Sequence, residues 1–129
     1  MLNWAVYYFN DQVTFLDNHD TSRDDRFGST EQIILGYVYI LTHPGTPCVY
    51  YSDWQTSAIQ SAIKNILTAR TAKGITSTSS VYIEKFTSGL YAAIINDNLA
   101  MKIGTSSWTP TDTAFKLHTS GSNYAVWTK

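Results

Sequence analysis

Val13-Thr14-Phe15-Leu16-Asp17-Asn18-His19-Asp20 constrains this chain more than any other stretch. A short apolar run breaks directly into four polar residues, three of them ionisable. The apolar half reads as a strand buried on both faces, as parallel strands covered by helices are. The polar half then falls at the C-terminal end of that strand, the edge where parallel α/β folds build their sites. Taken alone, His19-Asp20 reads as a hydrogen-bonded pair that holds a loop. An acid followed by His-Asp at a strand end also marks a candidate active site.

Beyond this edge, residues 21–29 (TSRDDRFGS) are polar and glycine-punctuated, which is the composition of a loop. Asp24, Asp25 and Arg26 belong to its solvated part. Thr30, Glu31 and Gln32 open a helical pattern, with Ile33, Ile34, Tyr37, Ile40 and Leu41 at spacings of three and four. Pro44-Gly45 stops it near Thr42, leaving His43 as a turn residue. Gly45 to Tyr51 is a second β-prone run, ended by Ser52-Asp53. A second helix follows from about Ser57 to Ala72. Ile59, Ala62, Ile63, Ile66, Leu67 and Arg70 mark its stripe, and Gly74 terminates it.

After Gly74 the period changes. Val81 to Phe86 alternates, Leu90 to Ile95 is β-prone, and Leu99 to Ile103 alternates again. Phe115 to Leu117 and Tyr124 to Trp127 are two further short runs. Thr87-Ser88-Gly89, Asn96-Asp97-Asn98 and Ser120-Gly121-Ser122-Asn123 supply turns. Five short strands with tight turns and no helix predict an antiparallel sheet.

Phe15-Leu16-Asp17-Asn18-His19-Asp20 resembles, at every position, the fourth conserved region of the α-amylase family of glycoside hydrolases. Gly45-Thr46-Pro47-Cys48-Val49-Tyr50-Tyr51 resembles the eighth barrel strand of that family. The Thr42-His43-Pro44-Gly45 turn looks like its plant-type members, and Arg70-Thr71-Ala72-Lys73-Gly74-Ile75 resembles the exit from the last barrel helix. The closing Asn123-Tyr124-Ala125-Val126-Trp127 run is similar to their C-terminal β-domain. The resemblance covers about Val13 to Lys129.

The fold it implies is a partial (β/α)8 barrel, α/β in class, contributing the seventh and eighth strand–helix units over residues 1–75. A five-stranded antiparallel β-sheet domain then occupies residues 76–129. The resemblance also implies that Asp20 is a catalytic carboxylate stabilising the transition state and that His19 binds the substrate ring. Asp17 and Asn18 are expected to support them.

The family's nucleophile and acid/base belong to earlier strands, and no matching motif occurs here. The chain therefore reads as a C-terminal fragment, inactive alone, whose partners are an α-glucan and the N-terminal remainder of the enzyme. Calcium is expected in the intact enzyme and no cofactor in this chain, where Asp53 is an isolated candidate ligand. Some plant-type members carry a surface starch site on the C-terminal domain. Trp108 falls one position from its tyrosine, while Ser120 replaces its histidine. A role for Trp108 in substrate binding therefore stands beside a role as a core or rim aromatic.

Composition narrows the classes. A formal net charge of −1 and 15% charged residues give no basic surface for nucleic acid. Aromatics at 14% suit both a β-rich core and stacking on sugar rings. The single Cys48 has no internal disulfide partner and is expected to be buried and inert. No apolar stretch is long enough to span a membrane. Leu2 to Tyr8 is expected to be a helix end or linking segment, and residues 1–12 lack the pattern of a signal peptide. By resemblance, the parent enzyme is extracellular. The alternative function is a non-catalytic starch-binding module using Trp108 and Trp127, with His118 as a surface histidine.

Overall fold

The computed structural model describes residues 13–17 and 27–129. Its first half has the order β1 (Val13–Thr14), α1 (Thr30–Thr42), β2 (Thr46–Pro47), α2 (Tyr51–Trp54) and α3 (Ser57–Ala72). Five strands follow: β3 (Val81–Thr87), β4 (Leu90–Ile95), β5 (Leu99–Ile103), β6 (Lys116–Gly121) and β7 (Tyr124–Thr128).

Helix α1 begins where a polar side chain can replace the missing backbone acceptor. Ser29 is extended, and its hydroxyl accepts from the Gln32 amide at 3.2 Å. Gln32 Oε1 in turn accepts from the Gly28 amide at 2.8 Å, a reciprocal cap displaced by one residue. The last six residues of α1, Tyr37 to Thr42, are all buried. They pack with Ile59, Ile63, Ile66 and Ala69 of α3 against Tyr91, Ala93, Ile95, Leu99, Met101 and Val126 of the sheet. Helices and sheet thus share one core.

The sheet has the order β3-β4-β5-β7-β6, all neighbours antiparallel. Because strand side chains alternate, Leu99 and Met101 face the helices while Ala100 faces away. On that far face Ala100, Phe115, Ala125 and Trp127 make a second, smaller cluster with Ile94 and Trp108. The Asn96–Asp97 turn takes φ of 52° and 57°, with Asn98 N–H donating to the Ile95 carbonyl at 3.2 Å, as the twist of a hairpin requires. Gly104 has φ of 119°, and a Cβ there would collide with the Gly89 carbonyl.

Both long helices and the five-stranded sheet occur where the sequence puts them. Several expectations need correction. Val13 and Phe15 are 61% and 51% exposed rather than buried on both faces, because β1 pairs only with β2 among the described residues. The run from Gly45 to Tyr51 is a strand only at Thr46–Pro47, and its aromatic end turns into α2. Cys48 is exposed, since it follows that short strand on an uncovered side. His43 stands in the turn after α1, as expected, and is completely buried there. The fourth strand of the sheet also starts later than the sequence suggests and runs on to Gly121, leaving Phe115 to cap the far-face cluster.

Candidate functional site

Strands β1 and β2 are parallel, with Val13 opposite Thr46 and Thr14 opposite Pro47, and α1 lies between them in the chain. The Cys48 amide extends the pairing by donating to the Thr14 carbonyl at 2.7 Å. Leu16 reaches Gly36 of α1 so closely that a Cβ at position 36 would lie 2.7 Å from Leu16 Cδ1. Glycine at that point lets the helix seat on the strand end. The result is a shared C-terminal edge, with Asp17 just beyond β1 and Asp53 in the short helix α2 beyond β2.

Tyr37 organises this edge from α1. Its ring is fully buried, and its hydroxyl donates to Asp53 Oδ2 at 2.6 Å while accepting from the Tyr50 amide at 3.1 Å. Burial, the Asp53 hydrogen bond and, more weakly, the charge of Asp17 push the phenol well above its ordinary range. Tyr37 therefore stays a neutral donor and pins the β2 exit to the helix. Sequence reasoning counted it as one more apolar-stripe residue. Its spacing from Asp53 carries no periodic signal, so only the tertiary arrangement reveals the pair.

His19 and Asp20, the residues expected to act on substrate, lie outside the described residues, as do Asn18, Asp24, Asp25 and Arg26. Trp108 is described. It is half-buried and packs edge-to-face on Trp127, with ring centroids 5.6 Å apart and planes at 80°. Both belong to the cluster on the sheet face away from the helices, so Trp108 is not part of the strand-end site. Ser120, opposite Ala125, is on the same face. His118 is exposed, yet its Nε2 lies 2.9 Å from the Asn65 carbonyl and ties β6 to α3. Among the described residues no three His, Cys, Asp or Glu side chains converge on a possible metal position. No helix among them is long and apolar enough to cross a membrane.

Residues 72–128 match the family model described as the α-amylase C-terminal β-sheet domain. Over 128 residues the chain is 44% identical to probable alpha-amylase 2 of Arabidopsis thaliana, covering 91% of this chain and 29% of that protein. It is 33% identical over 123 residues to the alpha-amylase type B isozyme of Hordeum vulgare, covering 91% of this chain and 79% of that sequence. Alpha-amylase 3, chloroplastic, of Arabidopsis thaliana is 38% identical over 120 residues, 89% of this chain but 13% of its own length. The chain thus spans less than a third of the two Arabidopsis relatives. Among solved structures, a gamma-CGTase from alkalophilic Bacillus clarkii superposes with a TM-score of 0.67 at 19% identity, over 99% of this chain and 27% of that one. That likeness establishes the fold alone.

Proposed function

This chain belongs to the α-amylase family, and from that premise we propose that it forms the C-terminal part of an α-amylase. The enzyme hydrolyses internal α-1,4-glucosidic bonds of starch-like glucans with retention of configuration. Residues 1–75 supply the seventh and eighth strand–helix units of the catalytic barrel, and residues 76–129 supply the β-domain. The observation that carries this reading is the parallel, in-register pairing of β1 and β2 across α1. It puts Asp17, just beyond β1, and Asp53 of α2 on one edge, where Tyr37 holds Asp53.

Glycoside hydrolysis passes through an oxocarbenium-like state. In the proposed mechanism, the Asp20 carboxylate faces that developing charge and stabilises it more than the neutral ground state. His19 donates a hydrogen bond to a hydroxyl of the same ring. The nucleophile and the acid/base, roughly 5–5.5 Å apart in retaining enzymes, come from the N-terminal remainder of the enzyme. That remainder is the macromolecular partner, and the exposed Val13 and Phe15 beside β1 are the surface it covers. Calcium, where the intact enzyme holds it, binds in that remainder. The described residues assemble no set of carboxylates for it. The parent enzyme acts outside the cell.

Soluble starch incubated with the isolated chain should show no turnover. Co-refolding with a polypeptide that carries the missing strand–helix units should restore it. In that reconstituted enzyme Asp20→Asn should lower kcat by about a hundredfold, the scale of removing one preorganised electrostatic group. Undiminished activity in the variant would overturn the role of Asp20, and turnover by the chain alone would overturn the fragment reading.

A second reading, a starch-binding module, is favoured by Trp108, whose ring stands edge-on to Trp127 on the outer sheet face. Maltooligosaccharide titration followed by Trp fluorescence should then saturate, and Trp108→Ala should weaken binding at least about tenfold, the loss of one stacking contact. Equal affinity in the variant rejects the module.

A further inference from the structure

Strand β3 stands at one edge of the five-stranded sheet and, among the described elements, packs closely on β4 alone. The ladder with β4 fixes which way its residues face, because directly opposed side chains lie on the same side of a sheet. Ile83 is opposite Ala93 and Phe86 opposite Tyr91, so both share the face on which Ala93 and Tyr91 are buried with the helices. Tyr82, opposite Ile94, is on the outer face. The helix cover stops short of β3. Ile83 is exposed, and Phe86 is 60% exposed although its ring meets the buried Tyr91 edge-on, with centroids 6.0 Å apart.

This uncovered end of β3 connects to the barrel units. Tyr91 Oη is 2.8 Å from His43 Nε2, and the turn from His43 to Gly45 leads into Thr46, the residue opposite the exposed Val13. One turn thus links the exposed ring of Phe86 to the exposed start of β1. The sequence of β3 also says how its face can be covered. The register shifts between Ile83 and Lys85, a bulge that puts Glu84 and Lys85 in the middle of the edge. Bulges and charges on an edge strand oppose the addition of another strand, which disfavours edge-to-edge pairing with a second copy. An aromatic ring beside a branched aliphatic chain instead suits face-on packing by an apolar segment. Most of the length of the Arabidopsis relatives lies outside the part matched here, which leaves a large body of chain in such an enzyme to provide that segment.

We propose that the helix-side face of β3, centred on Ile83 and Phe86, docks an apolar segment of the N-terminal remainder and continues the interface at Val13 and Phe15. The proposal rests on the fragment reading, and it gives the β-domain a direct part in holding the enzyme together. The test co-refolds the complete chain with the unmatched part of Arabidopsis alpha-amylase 2 and follows the complex by size-exclusion chromatography over a dilution series. Phe86→Asp should weaken association at least about thirtyfold, the scale of losing an interface anchor, and Ile83→Lys at least about tenfold. Tyr82→Asp, on the same strand but 65% exposed on the outer face, should leave association unchanged. Alone, each variant should keep the far-UV circular dichroism spectrum of the unaltered chain, and Ile83→Lys decides should Phe86→Asp fail to fold. Equal association of both inner-face variants, or a loss confined to Tyr82→Asp, would overturn the proposal. So would an isolated chain that is a dimer and that Phe86→Asp makes monomeric, since a second copy would then be the occupant. Loss of fold in both inner-face variants would mean that the chain covers this face itself, which also overturns it. No complex with the unaltered chain would remove the fragment reading and this docking together, whereas a complex indifferent to Phe86→Asp and Ile83→Lys would remove the docking alone.

Discussion

Arg70→Met is expected to lower the free energy of unfolding by about 3–5 kcal/mol, on the scale of removing a buried, charged hydrogen-bonding partner. Arg70 projects from α3, is 9% exposed, and spends its guanidinium on three carbonyls of the chain segment leaving α1. Nη1 donates to Leu41 O at 2.9 Å and to His43 O at 2.7 Å, and Nη2 donates to Gly45 O at 2.9 Å. The end of α1 leaves carbonyls without helical partners, and Pro44 offers no amide to satisfy them. A methionine keeps the packing of the stem but orphans all three acceptors in the core. Against a typical total of about 5–15 kcal/mol, this is a large share. Arg70→Lys should recover part of the loss, since one ammonium cannot span three acceptors as a planar fork does. Urea denaturation followed by far-UV circular dichroism measures both variants. A loss below about 1 kcal/mol for Arg70→Met would mean that the carbonyls find other partners.

The second large effect is a loss of stability in mild acid, caused by His43. Its ring is completely buried, stacked on Tyr39 at 4.1 Å, with Nε2 2.8 Å from Tyr91 Oη and Nδ1 3.0 Å from Thr42 Oγ1. The Thr42 hydroxyl donates its proton to the Val38 carbonyl at 2.7 Å, so it accepts from His43 Nδ1–H. Nε2 then accepts from the Tyr91 hydroxyl. The network is complete with a neutral imidazole. Burial, with the nearby charge of Arg70 acting the same way, lowers the His43 pKa to about 3 from the ordinary 6.5. Burial likewise raises Tyr39 to about 12 and Tyr91 further, so both phenols stay neutral beside it.

The sign follows from proton binding. Below pH 6.5 the unfolded chain takes up a proton at this histidine and the folded chain does not, so stability falls as pH drops through the window from about 6.5 to 3. Between pH 6.5 and 4.5 the loss attributable to His43 is about 2 kcal/mol, and across the whole window it approaches about 5. The hydrogen bond from Lys129 holds the exposed Asp112 carboxyl below its ordinary value. Urea midpoints measured at steps from pH 7 to 4.5 should therefore slope downward, and His43→Gln should flatten the slope whatever its effect at pH 7. A slope unchanged in the variant would assign the acid sensitivity elsewhere.

Periodicity and punctuation carried far in this chain. Both long helices end where Pro44 and Gly74 say they must, and Leu90–Ile95 and Leu99–Ile103 are strands with the expected ends, because local propensity and burial pattern agree there. The motif from Phe15 to Asp20 was visible as residue types in order, which is also how family membership became legible. Exposure at Val13 and Phe15 was not, since an apolar run reads as buried whether or not its neighbours are present.

What residue order alone settled is the set of elements and the chemical vocabulary at the end of β1, because both are properties of short segments. The partnerships were decided only in three dimensions: Arg70 with carbonyls about 25 residues or more away, His43 with Tyr91, Tyr37 with Asp53, and Asn123 with Glu31. Such bonds join groups with no periodic relation along the chain, and the buried ones become favourable only after packing has removed water from around them.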